Sequence, residues 1–209
     1  MSIASSTEQV HPDGGSSARP TMLTWLGTDE PGLESVRLVP AGELRLRATG
    51  RVIVPAGERD AYTADYELAV DETGVVRRLL VNSMDAGSER QVSLARSGEG
   101  NWLVDDGSGA QRGQFDGAVD VDVYGAVLFN AVPIRRLRLH REAGEHTLPV
   151  VFVSLPDLTI TLVQQVYRTV SIGEQSSVVE YRSGSFAAEL TVDADGQVLN
   201  YPGLSRRQS

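Results

Sequence analysis

The stretch AYTADYELAVDETGVVRRLLVN, residues 61–82, decides the fold. Two apolar runs, Ala61–Val70 and Val75–Asn82, flank Asp71-Glu72-Thr73-Gly74. Acidic and polar residues first and glycine last fit a type I turn closed by a glycine in the left-handed region. The unit is therefore a β-hairpin. The same pattern recurs at Val192–Val198, around Asp193-Ala194-Asp195-Gly196, and at Val104-Asp105-Asp106-Gly107. Three such turns between apolar runs predict a meander of hairpins.

Working outward, further strands are expected at Met22–Gly27, anchored by Trp25, and at Gly32–Pro40, where Val36, Leu38 and Pro40 share one face. Glu43–Val54 reads as a longer strand, interrupted at Gly50 as at a bulge or sharp bend. Short strands follow at Gln91–Leu94 and Asn101–Val104. Then come His146–Ser154, Thr159–Val170, Ser177–Ser183, Phe186–Val192 and Gln197–Tyr201. Thr159–Val170 is rich in β-branched residues, as strands are. Near-regular spacing with almost no helical period indicates an all-β barrel, half-barrel or sandwich. No internal linker divides residues 21–204, which are expected to form a single domain. Residues 1–20 read as a disordered polar tail, and 205–209 as a frayed C-terminus.

Composition removes several functions. A chain of 209 residues buries roughly 70% of its unfolded surface and needs no staples. It has no cysteine, so thiolate catalysis, disulfides and cysteine metal sites are excluded. All nineteen basic residues are arginine, which excludes a Schiff-base or phosphate-loop lysine. A net charge of −9 argues against nucleic acid as a partner and against docking on anionic lipid surfaces. No apolar run approaches the ~20 residues of a membrane span. The N-terminus lacks the basic and apolar segments of a secretory signal, so a cytoplasmic location is expected.

The segment Asp120–Leu139, DVDVYGAVLFNAVPIRRLRL, stands apart from the hairpins. Tyr124, Val127, Leu128, Ala131 and Val132 recur at helical spacing from Val121. A helix is expected there, capped by Asp120 or Asp122 and ended by Pro133. Beyond it, an extended Ile134–His140 would set Arg135 on one face with Leu137 and Leu139, and Arg136 with Arg138 on the other. A buried arginine needs a carboxylate partner, so Asp120 or Asp122 is expected to pair with one of these arginines and pin the segment. The functional alternative is a planar cation at a cavity mouth, holding a phosphate, a carboxylate or a sugar hydroxyl. Metal and catalytic readings find little in the chain. Asp193–Gly196 lacks the downstream glutamate of a calcium loop, no nucleophile elbow is present, and Glu67 reads as an exposed strand carboxylate. No cofactor is expected. The aromatic residues are core by default.

The chain resembles the bacterial glycolipid-binding family, long known only as a domain of unknown function. The resemblance covers about residues 22–203 and rests on Gly100-Asn101-Trp102, Asp120-Val121-Asp122, Asn130, Pro133-Ile134-Arg135-Arg136-Leu137, Gln165 with Tyr167, and the closing segment from Val192 to Pro202. It departs from the family at Val127-Leu128-Phe129. The resemblance implies a strongly curved antiparallel sheet, a half-barrel or open barrel with at most one or two short helices, like the carriers that move lipoproteins between bacterial membranes. It implies a non-catalytic binder of a glycolipid or lipid-like amphiphile. The candidate ligand-binding residues are Asp120, Asp122, Asn130, Arg135, Arg136, Trp25, Trp102, Tyr167 and Tyr201. The alternatives are an enzyme of sugar or lipid metabolism using Asp120 or Asp122 with arginine, and an interaction scaffold pairing through edge strands. Monomer and dimer both remain open.

Overall fold

Period-two burial runs through nearly every strand. In β3 (Leu46–Val54) the buried positions are Leu46, Ala48, Gly50 and Val52; in β4 (Tyr62–Val70) they are Tyr62, Ala64, Tyr66, Leu68 and Val70. Each strand thus offers one face to a common interior. The computed structural model describes residues 19–115 and 117–209. The tail expected over residues 1–20 lies outside them apart from Arg19 and Pro20.

The chain begins with β1 (Thr21–Gly27) and β2 (Leu33–Pro40), then β3 and β4. Next come β5 (Val76–Asp85), β6 (Glu89–Arg96), β7 (Trp102–Asp105) and β8 (Gln111–Gly113). Then follow β9 (Asp120–Val123), α1 (Leu128–Arg136), β10 (Glu145–Val153), β11 (Ile160–Ser171), β12 (Ser176–Ser183), β13 (Phe186–Asp193), β14 (Val198–Tyr201) and β15 (Ser205–Arg207). Among the described residues all fifteen strands lie in one sheet, ordered β8 back to β1, then β15 back to β9. Neighbours are antiparallel except β9 and β10, which are parallel and joined through α1. A parallel pair needs such a crossover. The first and last strands, β1 and β15, therefore lie side by side in the middle of the sheet.

The sheet is strongly curved and open. Its far ends approach each other without a ladder between β8 and β9. The Val76 amide on β5 donates to the Val119 carbonyl just before β9 at 3.0 Å. The Trp102 indole on β7 donates to the Ala118 carbonyl at 3.0 Å. Inside the curve sits α1, with every residue from Leu128 to Ile134 buried. Among the described residues no helix is long and apolar enough to cross a membrane.

The sequence misplaces three local features. The helix starts at Leu128 and not at Val121, because Asp120–Val123 is a strand buried at all four positions. Its apolar spacing reads equally as helix or buried strand. Pro133 lies inside α1, and Ile134–His140 is helix and turn where an extended segment was expected. Burial from every side offsets the backbone bond that Pro133 removes. Gly50 pairs with Tyr66 in unbroken register and forms no bulge. A Cβ there would stand 2.1 Å from the Tyr66 ring, so the glycine makes room for that ring. Finally, the C-terminus expected to fray supplies β15, held between β1 and β14 by ladders on both sides.

Candidate functional site

The inner face closes around a cavity of about 580 Å³. The ends of β1 and β2 form one wall with Trp25, Leu33 and Glu34. Val52, Val54 and Tyr62 continue it, and the turn after β9 with the start of α1 adds Asp122, Ala126 and Asn130. Tyr181, Phe186, Tyr201 and Ser205 complete the far side. Apolar and aromatic walls with a few convergent polar groups are the usual composition of a ligand site, and roughly 300–1,000 Å³ the usual size.

Four acidic residues line this cavity, of which Asp29 and Glu30 are exposed and Glu34 and Asp122 are buried. Glu34 shares its strand parity with the buried Val36 and Leu38, and is 3% exposed. The Tyr66 hydroxyl donates to its Oε1 at 2.6 Å, and the Val127 amide to its Oε2 at 2.5 Å. Val127 is the N-cap of α1, which has no side-chain cap of its own and no acid in its first turn. Glu34 therefore caps the helix from another strand, where the orphan amides and the positive end of the helix dipole favour an anion. Burial nonetheless pushes its carboxyl up to about 7, against the pull of Tyr66 and the helix amides. Asp122 is likewise pushed up by burial, to about 6, with Gln165, the Val123 amide and Tyr181 pulling the other way. Among the described residues no arginine or histidine lies within 4.0 Å of either carboxyl.

A relay of hydrogen bonds holds Asp122 in place. Asn130 Nδ2 donates to the Tyr167 hydroxyl at 3.0 Å, Tyr167 to Gln165 Oε1 at 3.0 Å, and Gln165 Nε2 to Asp122 Oδ2 at 2.6 Å. All four residues are buried. Tyr181 packs against Tyr167 at 5.2 Å, Tyr201 at 6.1 Å and Phe186 at 6.2 Å between ring centroids. At the mouth, Arg59 donates to the Tyr124 hydroxyl at 2.6 Å and lies 3.8 Å from Glu30.

Of the nine candidate residues, Trp25, Asp122, Asn130 and Tyr201 line the cavity, and Tyr167 supports it from beneath. The other four are elsewhere. Asp120 and Arg136 form a buried ion pair with each other, the pinning role expected for an Asp–Arg pair. Arg135 donates to the Glu43 carbonyl at 2.7 Å and lines a different pocket. Trp102 is core, tied to the Ala118 carbonyl. The extended register that set Arg135 beside Leu137 and Leu139 fails because that segment is helical. The sequence reading missed Glu34, Tyr62, Tyr181, Phe186 and Arg59. For Glu34 the signal was present, since alternation with Val36 and Leu38 already pointed it inward. For Arg59, on the loop before β4, nothing local marked it.

A family model described as "Putative glycolipid-binding" matches residues 22–207. The chain belongs to this family. The Asn130–Leu137 segment, on which part of the resemblance rests, thus lies in α1 and its exit, inside the curved sheet. The chain is similar in fold to the crystal structure, at 1.80 Å, of a DUF1089-family protein from Pseudomonas aeruginosa. The two are 24% identical with a TM-score of 0.67, over 96% of this chain and 100% of that one. No curated protein matches the chain.

Proposed function

We propose that this protein binds the hydroxyl-rich headgroup of an amphiphile in the 580 Å³ cavity, with the adjoining part of its apolar chain along the aromatic wall. The observation that carries the reading is one half-open cleft with Trp25, Tyr181, Phe186 and Tyr201 on its walls and Glu34, Asp122 and Asn130 at its polar end. Sugar rings stack on aromatic faces, and their hydroxyls donate to carboxylates or accept from a protonated carboxyl. Groups that titrate near 6 and 7 offer both options around neutrality. The family name points the same way.

Volume limits what enters. The cavity equals about twenty water volumes at roughly 30 Å³ each. It holds a sugar ring and a short length of chain, and leaves most of a two-tailed lipid outside. Each buried methylene contributes ~0.8 kcal/mol, set against an association cost of ~4 kcal/mol or more. Affinity then depends on the polar end as well as the chain. Headgroup choice falls to Glu34, Asp122 and Arg59, in place of the Arg135 and Arg136 expected from the sequence.

The test pairs octyl glucoside with octanol in calorimetric titrations below micelle concentration, alongside native mass spectrometry of the purified protein. Saturable one-to-one binding of the glucoside is expected, stronger than of octanol, with the preference lost in Asp122→Leu. Absence of binding to either probe, with no lipid released by organic extraction, would sink the proposal. Release of glucose during the titration would replace binding with hydrolysis.

A further inference from the structure

A second cavity of about 580 Å³ opens at the opposite ends of β1 and β2, beside the C-terminal turn of α1. It shares no lining residue with the first. Arg135, Arg138, His140 and Arg141 enter it from α1 and the turn that follows, and Asp193, Asp195 and Gln197 from the β13–β14 hairpin.

The charges here divide into paired and unpaired. Arg138 is engaged by Glu142 at 2.7 Å and Glu43 at 3.3 Å. Asp193 is engaged by Arg207 at 2.6 Å and by the amides of its own turn. Arg135 and Arg141 have no such partner. Each donates to one backbone carbonyl, that of Glu43 and that of Ala194, and among the described residues neither has a carboxylate within 4.0 Å. Arg135 is half-buried; burial disfavours its charge, nearby Asp195 and Asp193 favour it, and Arg141 opposes them. His140 also lines the cavity and is only 7% exposed; among the described residues its Nδ1, and the Oε1 of Gln197, itself 5% exposed, have no hydrogen-bond partner. Two guanidiniums without a carboxylate partner therefore stand beside one cavity, with His140 among its lining residues.

We propose that this cavity binds a phosphate group, as inorganic phosphate or a phosphomonoester, through the guanidiniums of Arg135 and Arg141. A tetrahedral anion has enough oxygens to accept from both forks at once, whereas a planar carboxylate presents two. Guanidinium forks match phosphate geometry and are weakly hydrated, which suits partial burial. The carboxylates of Glu43, Asp193 and Asp195 also line the cavity and offset part of its positive charge. Binding therefore comes from directed hydrogen bonds, and chloride competes poorly.

The site is independent of the amphiphile cavity and is tested by ³¹P line broadening with inorganic phosphate and with phenyl phosphate on the full chain. Saturable one-to-one binding is expected. Loss of one charged donor weakens it by at least about tenfold in Arg135→Gln and in Arg141→Gln. Arg141 is exposed, so Arg141→Gln keeps the test valid even where loss of Arg135, which packs on Gly196, unsettles the fold. Arg45→Gln, at an exposed arginine of the adjoining turn that does not itself line the cavity, leaves the affinity unchanged. Tighter binding of phenyl phosphate than of inorganic phosphate assigns the site to a phosphomonoester, and the reverse to free phosphate. No saturable broadening at millimolar phosphate, equal weakening in Arg45→Gln, or equal displacement by chloride would overturn the assignment.

Discussion

Glu34→Gln should make the protein more stable at pH 8 than the native sequence, and leave it nearly unchanged at pH 4.5. The carboxyl has an ordinary value of 4.5 and is raised to about 7 by burial in the folded chain. Below pH 4.5 it is neutral in both states and contributes its full hydrogen bonding. Between 4.5 and 7 the unfolded chain releases the proton while the folded chain keeps it, so stability falls as pH rises. Above 7 the folded group is ionised as well, and the loss is complete. At about 1.36 kcal/mol per pH unit the gap makes ionised Glu34 cost on the order of 3 kcal/mol. Glutamine imitates the neutral acid. It accepts from the Val127 amide through its oxygen, while Tyr66 turns its hydroxyl to accept from the new amide.

A loss of that size is a large share of the ~5–15 kcal/mol that holds a domain together. It is measured by urea denaturation of both proteins from pH 4.5 to 8.5, compared at equal slope. Asp122 titrates in both, so to first order its contribution cancels in the difference. The two stability curves should separate steadily to about pH 7 and then run parallel. Curves that never separate would refute the reasoning. So would a native protein more stable than Glu34→Gln at pH 8, since the helix cap would then outweigh the burial.

Three further outcomes are expected. Gly50→Ala drives a methyl into the Tyr66 ring and displaces the hydroxyl that holds Glu34, so thermal unfolding should report a loss of about 3 kcal/mol or more. Arg136→Ala leaves Asp120 buried at 1% exposure without its cation, costing about 3–5 kcal/mol in chemical denaturation; Arg136→Ala with Asp120→Leu should recover much of it. Deleting residues 205–209 removes the strand that joins β1 to β14, so light scattering should show association through the two exposed edges.

The hairpins were legible because their turns carry the chemistry that turns require. Gly74, Gly107 and Gly196 all adopt positive φ, at 80°, 95° and 76°, as the acid-to-glycine pattern demands. The curve and open edge followed from the family resemblance and not from any strand taken alone. What failed was reading that assumed one solvent face. Asp120–Val123 is buried on both sides and read as the start of the helix; of the two acids expected either to cap it or to pair with an arginine, Asp120 pairs with Arg136 and Asp122 faces the cavity. Ser205–Arg207 has no apolar residue to announce a strand, because its place is set by two neighbouring ladders and not by its own burial. Gly50 resembled a defect since its role belongs to the ring opposite, which is distant in sequence.

The helix at the centre of the fold depends on its surroundings to exist. Its nine residues, LFNAVPIRR, include Pro133, an asparagine and a valine, all poor for helix, and it begins without a cap of its own. Nine residues are also too few for a helix to persist in isolation. Its start is held by Glu34 from β2, its end by the Arg136–Asp120 pair, and its middle by Asn130 on Tyr167. Two of these three anchors, Glu34 and Asn130, also line the amphiphile cavity. A ligand hydroxyl that reaches Glu34 Oε2 meets the same oxygen that caps α1. It must either share that oxygen with the Val127 amide or take it away. On the proposed reading, occupancy of the cavity and the position of α1 would be coupled through one carboxylate, which burial pushes up to about 7. The third anchor, Arg136 with Asp120, lies outside the cavity.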